Sequence, residues 1–124
     1  MLEPGDLITH VTLPAPVANS KSLYLKLRDR ASYEFALASV AVIVKIENNQ
    51  LSYARVALGG VGTKPWRSKE AEQALAGATL SESSFRNAAE AALHGARPQS
   101  QNGFKIELAK RCLTHALKLA TQTA

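Results

Sequence analysis

Lys26, Arg28, Arg30, Ser32 and Tyr33 put three cations and two hydroxyls within eight residues of one another, in the stretch Lys-Leu-Arg-Asp-Arg-Ala-Ser-Tyr. A fixed positive charge suits a phosphate, or the electron density that a flavin ring gains on reduction. The competing reading is a solvated turn in which Asp29 and Glu34 act as surface ion-pair partners. The residue pattern alone leaves both open.

No other constellation forms a catalytic apparatus. Gly59-Gly60-Val61-Gly62 invites comparison with a phosphate loop, but lacks the GxGxxG spacing, a Walker Lys-Ser pair and an immediate helix start. Its glycines suit positive φ or close backbone approach where sheet gives way to helix. His10, His94 and His115 show no metal-ligand spacing, and Cys112 has no Cys or His at a zinc-like interval. Cys112 reads as an inert core thiol, and no Ser-His-Asp order is supported by a surrounding motif. Glu70, Glu72, Glu82 and Glu90 read as solvated helix faces, and Trp66 as a packing residue at the sheet-to-helix junction.

The elements that must hold the basic turn follow from periodicity. Residues 7–13 alternate loosely, with Leu7, Thr9, Val11 and Leu13 on one side, and predict a strand ending at Pro14-Ala15-Pro16. Residues 22–27 alternate again and deliver Lys26 to the face opposite Leu23, Leu25 and Leu27. The β-branched run 37–46 and the run 51–58 predict two further strands, joined by Asn48-Asn49, a pair that tolerates positive φ. In the second of these, Leu51, Tyr53, Arg55 and Ala57 fall on one side and Ala54, Val56 and Leu58 on the other. Ser68 and Ser81 are candidate N-caps, with helices ending near Gly77 and Gly95. Asn102 is a candidate cap for a last helix whose apolar stripe is Phe104, Leu108, Cys112, Leu113, Ala116, Leu117 and Ala120. Strands first and helices afterwards predict an α+β fold: a small antiparallel sheet of three to four strands, then a three-helix bundle on one face.

Composition bounds the function. At 124 residues, 46% apolar and 20% charged, the chain is one ordinary globular domain. Its longest apolar run, residues 40–44, is strand-sized, so no membrane segment is predicted. Residues 1–16 lack the features of a signal peptide, and one Cys excludes an internal disulfide. The net charge of +5 comes from scattered cations with no basic block, which argues against a dedicated nucleic-acid module with its steep salt dependence.

Three ordered blocks carry a family resemblance. They are Leu-Lys-Leu-Arg-Asp-Arg-Ala-Ser-Tyr at 25–33, Ala-Leu-Gly-Gly-Val at 57–61 with Lys-Pro-Trp-Arg at 64–67, and Asn-Gly-Phe-Lys-Ile-Glu-Leu-Ala at 102–109. With them, the chain from about Asp6 to Leu119 resembles the C-terminal domain of the FAD-binding subunit of molybdenum hydroxylases. That is the xanthine, aldehyde and carbon monoxide dehydrogenase group, and the likeness is to its bacterial aldehyde oxidoreductase type. The resemblance implies that residues 1–124 are a single domain, the C-terminal fragment of a longer subunit whose upstream part grips most of the FAD. It implies partners carrying the molybdenum cofactor and [2Fe-2S] clusters, electron transfer through FAD to an external acceptor, and no turnover by this domain alone. By position, Lys26 resembles the lysine close to the isoalloxazine ring, Arg30 an arginine beside it, and Phe35 an apolar ring contact. Glu34 departs from the small residue frequent in relatives, and Gly103 from a common Ala. The alternative is a subunit-docking domain that binds no flavin. The cytoplasm is the expected compartment, with the periplasm as alternative because some relatives are exported on a partner's signal.

Overall fold

Apolar residues at every second position give a strand one face for a core, and the register decides whether those faces line up. The computed structural model describes residues 2–122; Met1, where the expected truncation falls, lies outside them. The elements are β1 (Lys21–Leu27), β2 (Ala38–Glu47), β3 (Gln50–Gly59), β4 (Trp66–Arg67), α1 (Lys69–Leu75), α2 (Glu82–Leu93) and α3 (Phe104–Gln122). The strands form one antiparallel sheet in the order β1-β2-β3-β4. Leu23, Leu25 and Leu27 stand opposite Val42, Val40 and Ala38, and Val40, Val42 and Val44 opposite Leu58, Val56 and Ala54. One continuous apolar face results. α3 covers it over β1 and β2, α1 covers it over β3, and α2 packs on both helices, as the α+β reading predicts.

Local signals account for most boundaries. Asn48 and Asn49 both have positive φ, 50° and 61°, the hairpin geometry that matches strand twist. Ser68 Oγ accepts from Ala71 N at 3.1 Å and Ser81 Oγ from Ser84 N at 3.2 Å, so both predicted caps form. Cys112 is buried in the α3 stripe, and burial pushes its thiol up to about 11, which keeps it protonated and unreactive at neutral pH.

Several expectations are corrected. Residues 7–13 form no strand, and Leu7 is 84% exposed; alternation supplies an apolar side, but among the described residues no strand pairs with it. The fourth strand is instead the two-residue β4. Leu51 leaves the side of Tyr53 and is fully buried, because the register shifts between Lys45 and Ile46: Lys45 pairs with Tyr53 and Ile46 with Leu51. This bulge leaves Ser52 as the extra residue and returns Leu51 to the core. Phe104 is 56% exposed, so the buried stripe of α3 begins further along. Asn102 Oδ1 accepts from Gln99 N at 2.7 Å, which ties down the loop before α3 instead of capping the helix through its side chain. Trp66 sits opposite Leu58 at the sheet's margin and stays 56% exposed.

Glu72 is the largest departure. It is no solvated carboxylate: its side chain is only 10% exposed and it completes the outer edge of β3. β4 pairs with Ala57 and Leu58, Ser68 N donates to Val56 O, and Glu72 Oε1 accepts from Val56 N at 3.2 Å. The same carboxylate takes Arg67 Nε and Nη2, both at 2.9 Å, and lies 3.5 Å from Arg55. Further along, Leu51 N donates to Ala78 O and Gly77 N to Leu51 O. These contacts cover an edge that would otherwise offer unpaired backbone groups to another chain.

The far end of β3 is shaped by Gly60. Its φ is +73°, and a Cβ there would stand 2.9 Å from Ala36 O and 3.1 Å from Leu37 O. The backbone entering β2 is pressed against the backbone leaving β3, so the predicted close approach is made at this glycine.

Three outcomes are expected. Glu72→Ala strips the Val56 N–H of its partner and should lower stability by about 2 kcal/mol in urea denaturation; an unchanged midpoint would remove the edge clamp from the account. The hydrogen bond from Arg67 holds the Glu72 carboxyl below its ordinary value of 4.5. A folded pKa below the unfolded one adds stability above the unfolded value and loses it as pH falls through the folded value. Glu72→Gln should therefore flatten the acid limb of stability against pH below about 4.5. At the other corner, Gly60→Ala meets both left-handed strain and close carbonyls. Gly77→Ala, at φ +71° with nothing within 4 Å, meets strain alone, about 1–2 kcal/mol. Equal losses for the two variants would overturn the close-approach argument.

Candidate functional site

Antiparallel pairing sends the end of β1, the start of β2 and the end of β3 to one end of the sheet, with Leu27 opposite Ala38 and Ser39 opposite Gly59. The basic turn therefore emerges beside the glycine corner. It is closed at its base by Leu37 N donating to Leu27 O at 2.9 Å.

The turn is organised by its own side chains. Lys26 Nζ donates to Glu34 O at 2.6 Å, and the Arg30 guanidinium donates to Tyr33 O. Glu34 Oε2 accepts from two successive backbone amides, Asp29 N at 2.9 Å and Arg30 N at 3.0 Å. Tyr33 takes a positive φ of 55°, and the rings of Tyr33 and Phe35 stand 94% and 95% exposed. Lys26, at the end of β1, is thus brought to Arg30 and Phe35 on the loop that follows, with both cations clamping the two carbonyls that immediately precede Phe35.

The electrostatics differ from those of an ordinary solvated turn. Among the described residues, Lys26, Arg28 and Arg30 make no ion pair. Asp29 and Glu34 do not serve as their partners, because Glu34 directs its carboxylate to backbone N–H groups. Neutral carbonyls position Lys26 and Arg30 without a counter-ion in contact, so their positive charge remains available to an incoming electron-rich group.

The three sequence blocks meet here. Gly60 carries the second block against Ala36 and Leu37, directly after the first. Lys105, in the first turn of α3 and within the third block, donates from Nζ to Gly60 O at 3.1 Å. Sequence reasoning missed two contributors: the Glu34 carboxylate as an internal staple and Tyr33 as a second outward ring. The Ser-Tyr-Glu order held no signal for either. Among the described residues no group of three or more His, Cys, Asp or Glu could hold a metal ion, and no helix is long and apolar enough to cross a membrane.

Comparison with known proteins follows the same boundaries. The chain is 44% identical over 123 residues, 99% of its length, to the aldehyde oxidoreductase FAD-binding subunit PaoB of Escherichia coli K12. It is 36% identical over 78 residues, 63% of its length, to the glyceraldehyde dehydrogenase medium chain of Sulfolobus acidocaldarius. It spans only 35% of the first relative and 27% of the second. A solved carbon monoxide dehydrogenase chain from Hydrogenophaga pseudoflava superposes with a TM-score of 0.78 at 28% identity, covering 87% of this chain and 39% of that one. The family described as the CO dehydrogenase flavoprotein C-terminal domain matches residues 23–120, from within β1 almost to the end of α3. The chain belongs to that family.

Proposed function

We propose that this chain is the C-terminal domain of the FAD-binding subunit of a molybdenum hydroxylase of the aldehyde-oxidising type, and one part of a longer polypeptide. The observation that carries the reading is the turn from Lys26, at the end of β1, to Phe35: two cations held by neutral carbonyls, without carboxylate partners, next to an exposed phenyl ring. The named function of the E. coli relative, FAD binding within an aldehyde oxidoreductase, supports the same assignment.

The residues fit a flavin ring. FAD, when bound, supplies the chemistry by accepting electrons at its isoalloxazine ring and passing them on. Lys26 gives one donor to Glu34 O and keeps two N–H donors and its full charge for the ring. Arg30 adds a second charge beside it, and Phe35 offers an apolar face against which the ring packs. Glu34 fixes the loop by taking the Asp29 and Arg30 amides, and its own carbonyl holds Lys26. Partner subunits would hold the [2Fe-2S] clusters and the molybdenum cofactor and supply electron delivery and substrate oxidation, while Lys26, Arg30 and Phe35 of this chain would hold the flavin ring. The isolated domain holds FAD weakly or not at all, because one loop meets only a fraction of the ordering cost.

In the intact FAD-binding subunit, Lys26→Ala should lower the flavin midpoint potential by on the order of 30 mV, the two-electron equivalent of about 1.4 kcal/mol, with the far-UV circular dichroism spectrum unchanged. A potential that does not move would take Lys26 out of the mechanism.

A further inference from the structure

Between the 60–63 turn and the α2–α3 connection lies a cleft of about 530 Å³, and no residue of the basic loop lines it. Its volume falls in the range of small-molecule sites. Leu58, Val61 and Ile106 contribute an apolar floor, and Trp66, Arg97 and Lys105 line it as well. No Asp or Glu contributes to the lining.

The polar groups of those last three side chains are donors with little to bond. Lys105 gives one N–H to Gly60 O and retains two. Among the described residues, the Arg97 guanidinium has neither hydrogen bond nor ion pair, and the Trp66 indole N–H has no acceptor. The Trp66 ring is 56% exposed although it lies opposite Leu58, on the helix-bearing face of the sheet. An exposed indole over an aliphatic floor favours a flat apolar body, and cations without carboxylates favour a negative group at its end. Inorganic phosphate would satisfy the cations and leave the floor unused.

We propose that this cleft binds a small aromatic carboxylate, its ring against Trp66 and its carboxylate on Lys105 and Arg97. The site is separate from the flavin-facing loop, and its existence does not depend on the flavin assignment. Ligand in the cleft would also touch Lys105 and so bear on the same glycine corner.

Trp66 is the sole tryptophan of this chain, and its indole N–H resonance, identified in the intact subunit by its loss in Trp66→Phe, reports on the cleft directly. In ¹⁵N-edited spectra of the intact subunit, benzoate should shift that resonance saturably in the millimolar range or below. Benzamide, nearly the same shape without the charge, should bind at least tenfold more weakly. Lys105→Met and Arg97→Gln should each weaken benzoate at least fivefold. Arg97 makes no side-chain hydrogen bond or ion pair among the described residues, so its variant tests binding even if Lys105→Met perturbs the corner. Equal affinity for benzamide, an equal response to inorganic phosphate, no saturable benzoate shift, or benzoate binding unchanged in Arg97→Gln would each overturn the proposal.

Discussion

The structure turns on the contact of Gly60 with the backbone at Ala36 and Leu37. Two strands of an antiparallel sheet leave and enter at the same end, and their connecting segments must pass one another there. A side chain at residue 60 would hold the two backbones apart, since its first carbon would fall 2.9 Å from a carbonyl oxygen. With glycine, the segments close on each other. The basic loop is then fixed against the sheet on one side and linked to α3 through Lys105 on the other. The cations of the loop and the cleft share this single closed corner.

The outer edge of β3 and the loop beyond its end treat charge in opposite ways, and each treatment suits its task. At the β3 edge, Glu72 gathers Arg67, Arg55 and the Val56 amide into one cluster, which seals the edge with both cations in direct contact with a carboxylate. At the loop end, Lys26 and Arg30 bond to carbonyls, and the nearby Glu34 carboxylate is taken up by amides. Position is fixed there without ion pairing. A site meant to favour a gain of electron density on a neighbour needs this second arrangement, because a contacting counter-ion would cancel most of the field.

Where structure is set by neighbours in sequence, the sequence was legible. The Asn48-Asn49 turn, the serine caps before α1 and α2, the alternation along β2 and the burial of Cys112 all depend on residues a few positions apart. What was not legible depends on distant partners. Alternation at 7–13 says which side is apolar but not whether a strand waits to pair with it. The side assigned to Leu51 assumed an unbroken register, and a bulge is decided by how two strands fit. Glu72 looked like a surface carboxylate because its strand-edge role requires β3 to be already in place beside α1. Within the site, the charge pattern drew attention to Lys26 and Arg30, and the resemblance gave them roles and added Phe35. The amide contacts of Glu34 that shape the loop had no sequence signature.

The most direct test of the central claim is the visible absorption spectrum of the protein purified from the intact reading frame that encodes this chain. If the basic loop faces a flavin, the protein carries flavin bands that bleach on reduction. A colourless protein that takes up no FAD on reconstitution would contradict the account and leave only the fold shared with the family.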